Sequence, residues 1–188
     1  MSFQHALQRH FDTFNQLHTI EPEVQRQAEQ ISQCFAAGGK LIFMGNGGSA
    51  ADSQHLAAEF VVRYKAERRP LAAIALTVDT SILTAHSNDY SFNSVFTRQI
   101  EALAKPADLI IGISTSGNSR NVIDAIEAAK TIGCTTWAWT GANGGKLNTI
   151  ANHLIRVPSD ETARIQEAHI FVGHWLCEEM DRLATNTA

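Results

Sequence analysis

The sequence predicts an α/β fold, a five-stranded parallel sheet with helices on both faces in three layers, of the flavodoxin-like kind. Three observations predict it. Five short apolar runs, at 41–44, 71–76, 109–113, 135–140 and 154–157, are mostly unbroken rather than alternating, as expected of strands buried on both faces. Stretches with helical apolar spacing, at 50–64, 92–104 and 119–132, separate them. Polar glycine loops follow the first and third runs, where a βα unit turns from strand into helix.

The elements follow in chain order. Ala6, Phe11, Phe14 and Leu17, then Val24, Ala28, Ile31 and Phe35, recur at helical spacing. Pro22 suits a first helical turn, so two leading helices broken near 18–21 are expected, and Gly38-Gly39 ends the second. A small sheet alone would not fully bury these helices (1–36). The strand–helix alternation then runs to a long closing helix over 161–183. Neither repeats nor low-complexity tracts interrupt it, and 188 residues suit one unit, 1–188. If the strands take the common order 2-1-3-4-5, the order reverses between strands 1 and 3, and ligands bind at such a crevice. Phe43, Trp137 and Trp139 are read as core.

Composition excludes several classes. Hydrophobic residues are 44% and charged residues 18%, ordinary for a soluble globular protein. A net charge of −4 leaves no basic footprint for nucleic acid. No run of about 18 apolar residues predicts a membrane span. The start, with Gln4, His5, Gln8, Arg9 and His10, lacks the apolar core of a signal peptide. Cys34, Cys134 and Cys177 are odd in number and widely spaced, which suits reduced thiols and a cytoplasmic location.

The two loops carry the first functional signal. Gly45-Asn46-Gly47-Gly48-Ser49 and Ser114-Thr115-Ser116-Gly117-Asn118-Ser119 each open a helix, where backbone N–H groups and the helix dipole favour an anion. Neither matches GxGxxG or the lysine-bearing P-loop, so a small phosphorylated ligand is preferred to a nucleotide. Both are also compatible with ordinary capped turns.

His55 and Glu59 lie one helical turn apart, within about 40° of one another around the axis. Alone, such a pair is more often a surface ion pair. In "RIQEAHIFVGHW", Gln166 and His174 are eight residues apart and within about 80°. A cluster of His55, Glu59, Gln166 and His174 would suit a borderline metal such as Zn²⁺, although spacing alone does not bring the two helices together. Asn88-Asp89-Tyr90 reads as a polar loop after an apolar helical stretch, with an Asx cap.

Taken together, "GNGGSAADSQH", "NDYSF", "GISTSGNS" and "ARIQEAH" resemble the sugar isomerase (SIS) family over nearly the whole chain, to about residue 181. Within that family, the resemblance points to the branch acting on seven-carbon sugar phosphates. It implies the three-layer SIS fold and interconversion of D-sedoheptulose 7-phosphate with D-glycero-D-manno-heptose 7-phosphate through an enediol. Ser114, Thr115, Ser116 and Ser119 would then hold the phosphate, with Asn46, Gly47, Gly48 and Ser49 on the other side. Asn88 and Asp89 would contact sugar hydroxyls, and Arg63, one turn beyond Glu59, would hold polar groups of the site. His55, Glu59, Gln166 and His174 would be the zinc ligands, one ion per subunit, with Glu59 and His174 the acid–base pair. The family also implies a homotetramer, in which the leading helices (1–36) pack. A related replication-initiation factor shares the fold and the "SARIQE"-like segment but lacks the glutamate at position 59, and SIS domains of some regulators only sense phosphosugars. Glu59 and the STSGNS loop favour the enzyme over the first, and the expected lack of a DNA-binding segment counts against the second.

Overall fold

The computed structural model describes residues 2–185; Met1 and residues 186–188, included in the unit expected from the sequence, lie outside it. In order, the described elements are α1 (Phe3–Phe14), a 3₁₀ turn (Leu17–Ile20), α2 (Glu21–Ala36), β1 (Leu41–Gly45), α3 (Gly48–Val61), β2 (Ala73–Ala75) and α4 (Thr80–Asp89). A second 3₁₀ turn (Phe92–Ser94), α5 (Val95–Leu103), β3 (Leu109–Ile113), α6 (Arg120–Ile132), β4 (Thr135–Thr140), α7 (Leu147–Ile150), β5 (His153–Arg156) and α8 (Thr162–Thr185) complete them. The strands form one parallel sheet in the order β2-β1-β3-β4-β5, as the βα alternation predicts.

Both faces of the sheet are covered, which is why its strands are apolar without alternation. Phe43, Ile111, Trp137 and Trp139 pack on one side with residues of α2, α3 and α8. Ile42, Met44, Ile110 and Ala138 pack on the other with residues of α5 and α6. The indole N–H groups of Trp137 and Trp139 donate to Gln30 Oε1 (2.8 Å) and Gln27 Oε1 (3.0 Å), so α2 both buries and satisfies them.

Four local expectations are corrected. The second strand is three residues rather than 71–76, because Leu71 donates its N–H to Phe60 O instead of joining the ladder. The helix expected at 50–64 is Gly48–Val61; it ends early because Arg68 Nη2 and Nη1 take the carbonyls of Glu59 (2.9 Å) and Phe60 (3.0 Å). The helix expected from 92 opens as a 3₁₀ turn before α5. Asn88 and Asp89 are the last two residues of α4 and not a loop, since the helix that Asp79 caps continues through them.

The leading helices divide. α2 sends Val24, Ala28 and Ile31 into the core, whereas α1 exposes Phe3 (81%), Leu7 (39%) and Phe11 (49%) along one stripe. An apolar groove of about 350 Å³ between this region and α8 is lined by Phe14, Leu17, Ile20, Val24, Phe171 and Trp175, among others. Among the described residues, no helix is long and apolar enough to cross a membrane.

Candidate active site

Gly45 and Ile113, the last residues of β1 and β3, are paired, so the two glycine loops leave adjacent strands at one level. A Cβ on Gly45 would lie 2.8 Å from Ser49 Cβ and 3.0 Å from Ile113 O, so only glycine lets the first loop fold back here. Gly47 (φ 56°) and Gly117 (φ 66°) take the left-handed conformations that turn each loop towards its helix. The loops are tied by reciprocal amide bonds, Asn46 Nδ2 to Asn121 Oδ1 and Asn121 Nδ2 to Asn46 Oδ1, both 2.9 Å. The N-termini of α3 and α6 therefore stand side by side, an arrangement suited to an anion.

The hydroxyls divide by burial. Ser49 and Ser114 are buried. Ser114 Oγ lies 2.9 Å from Ser119 Oγ and also accepts the Ser119 N–H at 3.4 Å. Thr115 and Ser119 are half-buried, while Ser116, Gly47 and Gly48 are exposed.

The His/Glu set comes from α3 and α8, which run in the same direction. A Cβ on Gly48 would meet Gln166 Nε2 at 2.5 Å, and one on Gly173 would meet Leu56 Cδ2 at 2.5 Å. That glycine-mediated approach brings His174 Nε2 to 2.9 Å from His55 Nε2, with His55 Nε2 3.3 Å from Glu59 Oε1. At 2.9 Å one of the two facing nitrogens carries the proton and the other accepts it. Tyr64 stacks on the His174 ring, with centroids 5.4 Å apart and planes at 22°. Burial, then the neighbouring His55 and Lys65, push the His174 imidazole below its ordinary pKa, against the opposing pull of Glu59.

Two imidazole nitrogens and a carboxylate oxygen from two helices are the donor types a zinc-class ion takes. Among the described residues no group of three or more His, Cys, Asp or Glu is spread for a metal. Two nitrogens on one tetrahedral ion stand about 3.4 Å apart, against 2.9 Å between His55 and His174 here. The donor chemistry fits a metal, and His55 and His174 would have to separate by a few tenths of an ångström. Gln166 lies against the first turn of α3, beside Gly48.

The remaining expected residues are dispersed. Asn88 Nδ2 donates to Asp89 Oδ1 at 2.8 Å, and both are exposed at the end of α4. Arg63 lies beyond the end of α3, in the connector rather than one helical turn past Glu59; its Nη1 donates to Lys65 O at 3.1 Å.

Comparison with known proteins places the chain in a family. The SIS domain model covers residues 3–141. A phosphoheptose isomerase of Akkermansia muciniphila is 52% identical over 171 residues, 91% of this chain and 90% of that one. One of Aquifex aeolicus is 58% identical over 153 residues, 81% and 80% of the two chains. The chain belongs to the phosphoheptose isomerase family. Its fold matches the solved phosphoheptose isomerase of Neisseria gonorrhoeae with a TM-score of 0.89 at 41% identity, over 96% of this chain and 100% of that one.

The site also holds residues that the spacing argument missed. Asp52 lies one turn before His55, on the helix stripe shared by Gly48, His55 and Glu59. Its Oδ2 is buried without a hydrogen-bond partner, and burial, partly opposed by His55, pushes its carboxyl up to about 6. The stripe 48-52-55-59 was the signal that could have found it. Asn121, which locks Asn46, sits one residue into α6 and carried no pattern of its own.

Proposed function

We propose that the protein interconverts D-sedoheptulose 7-phosphate and D-glycero-D-manno-heptose 7-phosphate, supplying the first step of nucleotide-activated heptose synthesis in the cytoplasm. The observation that carries this reading is the gathering of Glu59 and His174 from two helices, about three turns along α3 from two amide-locked, anion-suited loops.

The phosphate sits between the loops, held by the N-terminal amides of α6 and the hydroxyls of Thr115, Ser116 and Ser119, with Gly47 and Gly48 allowing close approach. Ser114 orients Ser119, and Asn46 and Ser49 shape the opposite wall. Gln166, Arg63, Asn88 and Asp89 serve the sugar hydroxyls. Glu59 takes a proton from C1 of the ketose and returns it to C2. His174 takes the proton on O1 and delivers it to O2, and its lowered pKa keeps it ready to accept near neutrality. His55, Glu59, Gln166 and His174 would hold one Zn²⁺ per chain, which when bound polarises the carbonyl. Glu59 is a weaker base while it serves as a ligand, so its two roles compete. The apolar stripe Phe3, Leu7 and Phe11 and the adjoining groove support assembly as a homotetramer.

The test is turnover of sedoheptulose 7-phosphate by purified protein with Zn²⁺, beside Glu59→Gln. The wild type forms the aldose and Glu59→Gln does not, with its circular dichroism unchanged. A wild type inactive on heptose and hexose phosphates alike removes the reading. Metal analysis should find about one zinc per chain, lost from the double variant His55→Ala/His174→Ala.

A further inference from the structure

The connector after α3 is fastened to one stripe of α8, and that stripe begins at His174. Residues 174, 178 and 181 are spaced i, i+4, i+7, so they share a helix face. Each meets the connector. Tyr64 stacks on His174. Lys65 Nζ pairs with Glu178 at 3.1 Å and lies 5.0 Å from the centre of the Tyr64 ring. Asp181 accepts the N–H groups of Lys65 (2.7 Å) and Ala66 (2.8 Å) and the Nε–H of Arg68 (2.6 Å). The Arg68 and Asp181 side chains are only 1% and 4% exposed, so this pair is a buried clasp and not a surface contact. Arg68 then spends its remaining donors on the carbonyls of Glu59, Phe60 and Arg69.

One guanidinium thus joins three things: the backbone of Glu59, the anchor Asp181, and the segment that lays Tyr64 on His174. We propose that Tyr64 and the Arg68–Asp181 clasp are positioning residues that set the orientation of Glu59 and His174 relative to one another. The proposal rests on the isomerase reading for its effect on turnover, and the geometry itself can be read without turnover. Tyr64 fixes the plane of the His174 ring from its open side, while the clasp fixes the height of Glu59 along α8. A face-to-face ring contact needs the aromatic ring and not its hydroxyl. A planar guanidinium can bond a carboxylate and two carbonyls together, and an ammonium cannot reproduce that fork.

The experiment compares Tyr64→Ala, Tyr64→Phe and Arg68→Lys with wild type and Glu59→Gln. Tyr64→Ala and Arg68→Lys should lower kcat tenfold or more with KM within twofold, because the phosphate loops lie at the other end of α3. Tyr64→Phe should keep wild-type kcat. Histidine ring signals in NMR supply the second readout: Arg68→Lys should shift those of His174, although the bonds of Arg68 go to Glu59, Phe60, Arg69 and Asp181. A folded Tyr64→Ala enzyme with wild-type kcat overturns the proposal, as does a Tyr64→Phe enzyme as impaired as Tyr64→Ala. Unshifted His174 signals in Arg68→Lys overturn it whatever the turnover shows. An inactive wild type with shifted His174 signals would instead count against the isomerase reading while upholding the positioning.

Discussion

Gly173→Ala tests how the site depends on the approach of α3 to α8. The added Cβ would lie 2.5 Å from Leu56 Cδ2, 2.7 Å from Cδ1 and 3.1 Å from Cγ. Carbon atoms in contact stand about 3.5–4.0 Å apart, so the deficit is about 1 Å. Because the branch carbon Cγ is among the crowded atoms and Leu56 is fully buried, a rotamer change does not clear it. The helices must part by about that amount. His174 is the next residue, and its 2.9 Å contact with His55 spans the same gap. A misplacement of about 1 Å costs on the order of 100-fold in rate. Stability changes much less. Overpacking costs about 1–3 kcal/mol, and replacing a helical glycine by alanine returns about 1 kcal/mol. The net loss of about 0–2 kcal/mol moves Tm by at most about 8 °C in a chain of this size. Initial rates on sedoheptulose 7-phosphate and a thermal melt measure both. Adding Leu56→Ala to Gly173→Ala should restore part of the rate despite its own cost of about 2–5 kcal/mol. A Gly173→Ala enzyme that turns over within threefold of wild type refutes the reasoning.

Other predictions concern the surrounding network. His169 is fully buried, and burial holds its imidazole down at about 4, against the Thr140 carbonyl bond that raises it. The unfolded chain, titrating near 6.5, binds the proton first as pH falls. Stability is therefore complete above about pH 6.5 and drops by about 3 kcal/mol on the way to pH 4. Urea titrations at several pH values should show that slope, and His169→Gln should flatten it; an equal slope in the variant contradicts the assignment. Asn121→Ala leaves the Asn46 amide unpaired, so it should cost about 1–3 kcal/mol and raise KM for the phosphosugar more than it lowers kcat. Ser119→Ala should raise KM severalfold, with kcat little changed, in the same steady-state assay. Phe11→Asp on the exposed stripe of α1 should reduce the mass seen by light scattering if that face is an assembly surface.

The sheet was legible because each buried strand announces itself as an apolar run, and the strand-to-helix loops announced the ligand end. Legibility failed where a distant group decided a local outcome. Nothing near Val61 says that α3 stops there; Arg68 and Leu71, several residues on, take the carbonyls that the next turn would have used. Pairing of His55 with His174 was suggested by spacing on each helix, but the approach of the two helices depends on Gly173 facing Leu56, which no periodicity reveals. Asp52 was readable from its place on the α3 stripe with His55 and Glu59, but its burial depends on how that helix packs. Tyr64 and Asp181 acquire meaning only once the connector is seen folded back on α8.

The central claim is that Glu59 moves a proton between the two reacting carbons. Proton NMR of sedoheptulose 7-phosphate in D₂O with wild type and Glu59→Gln tests it most directly. Wild type should form the aldose, with deuterium at C2 in the fraction of turnovers where the Glu59 carboxyl exchanges with solvent before returning its proton, and Glu59→Gln should form none. Aldose appearing at the wild-type rate with Glu59→Gln would contradict it.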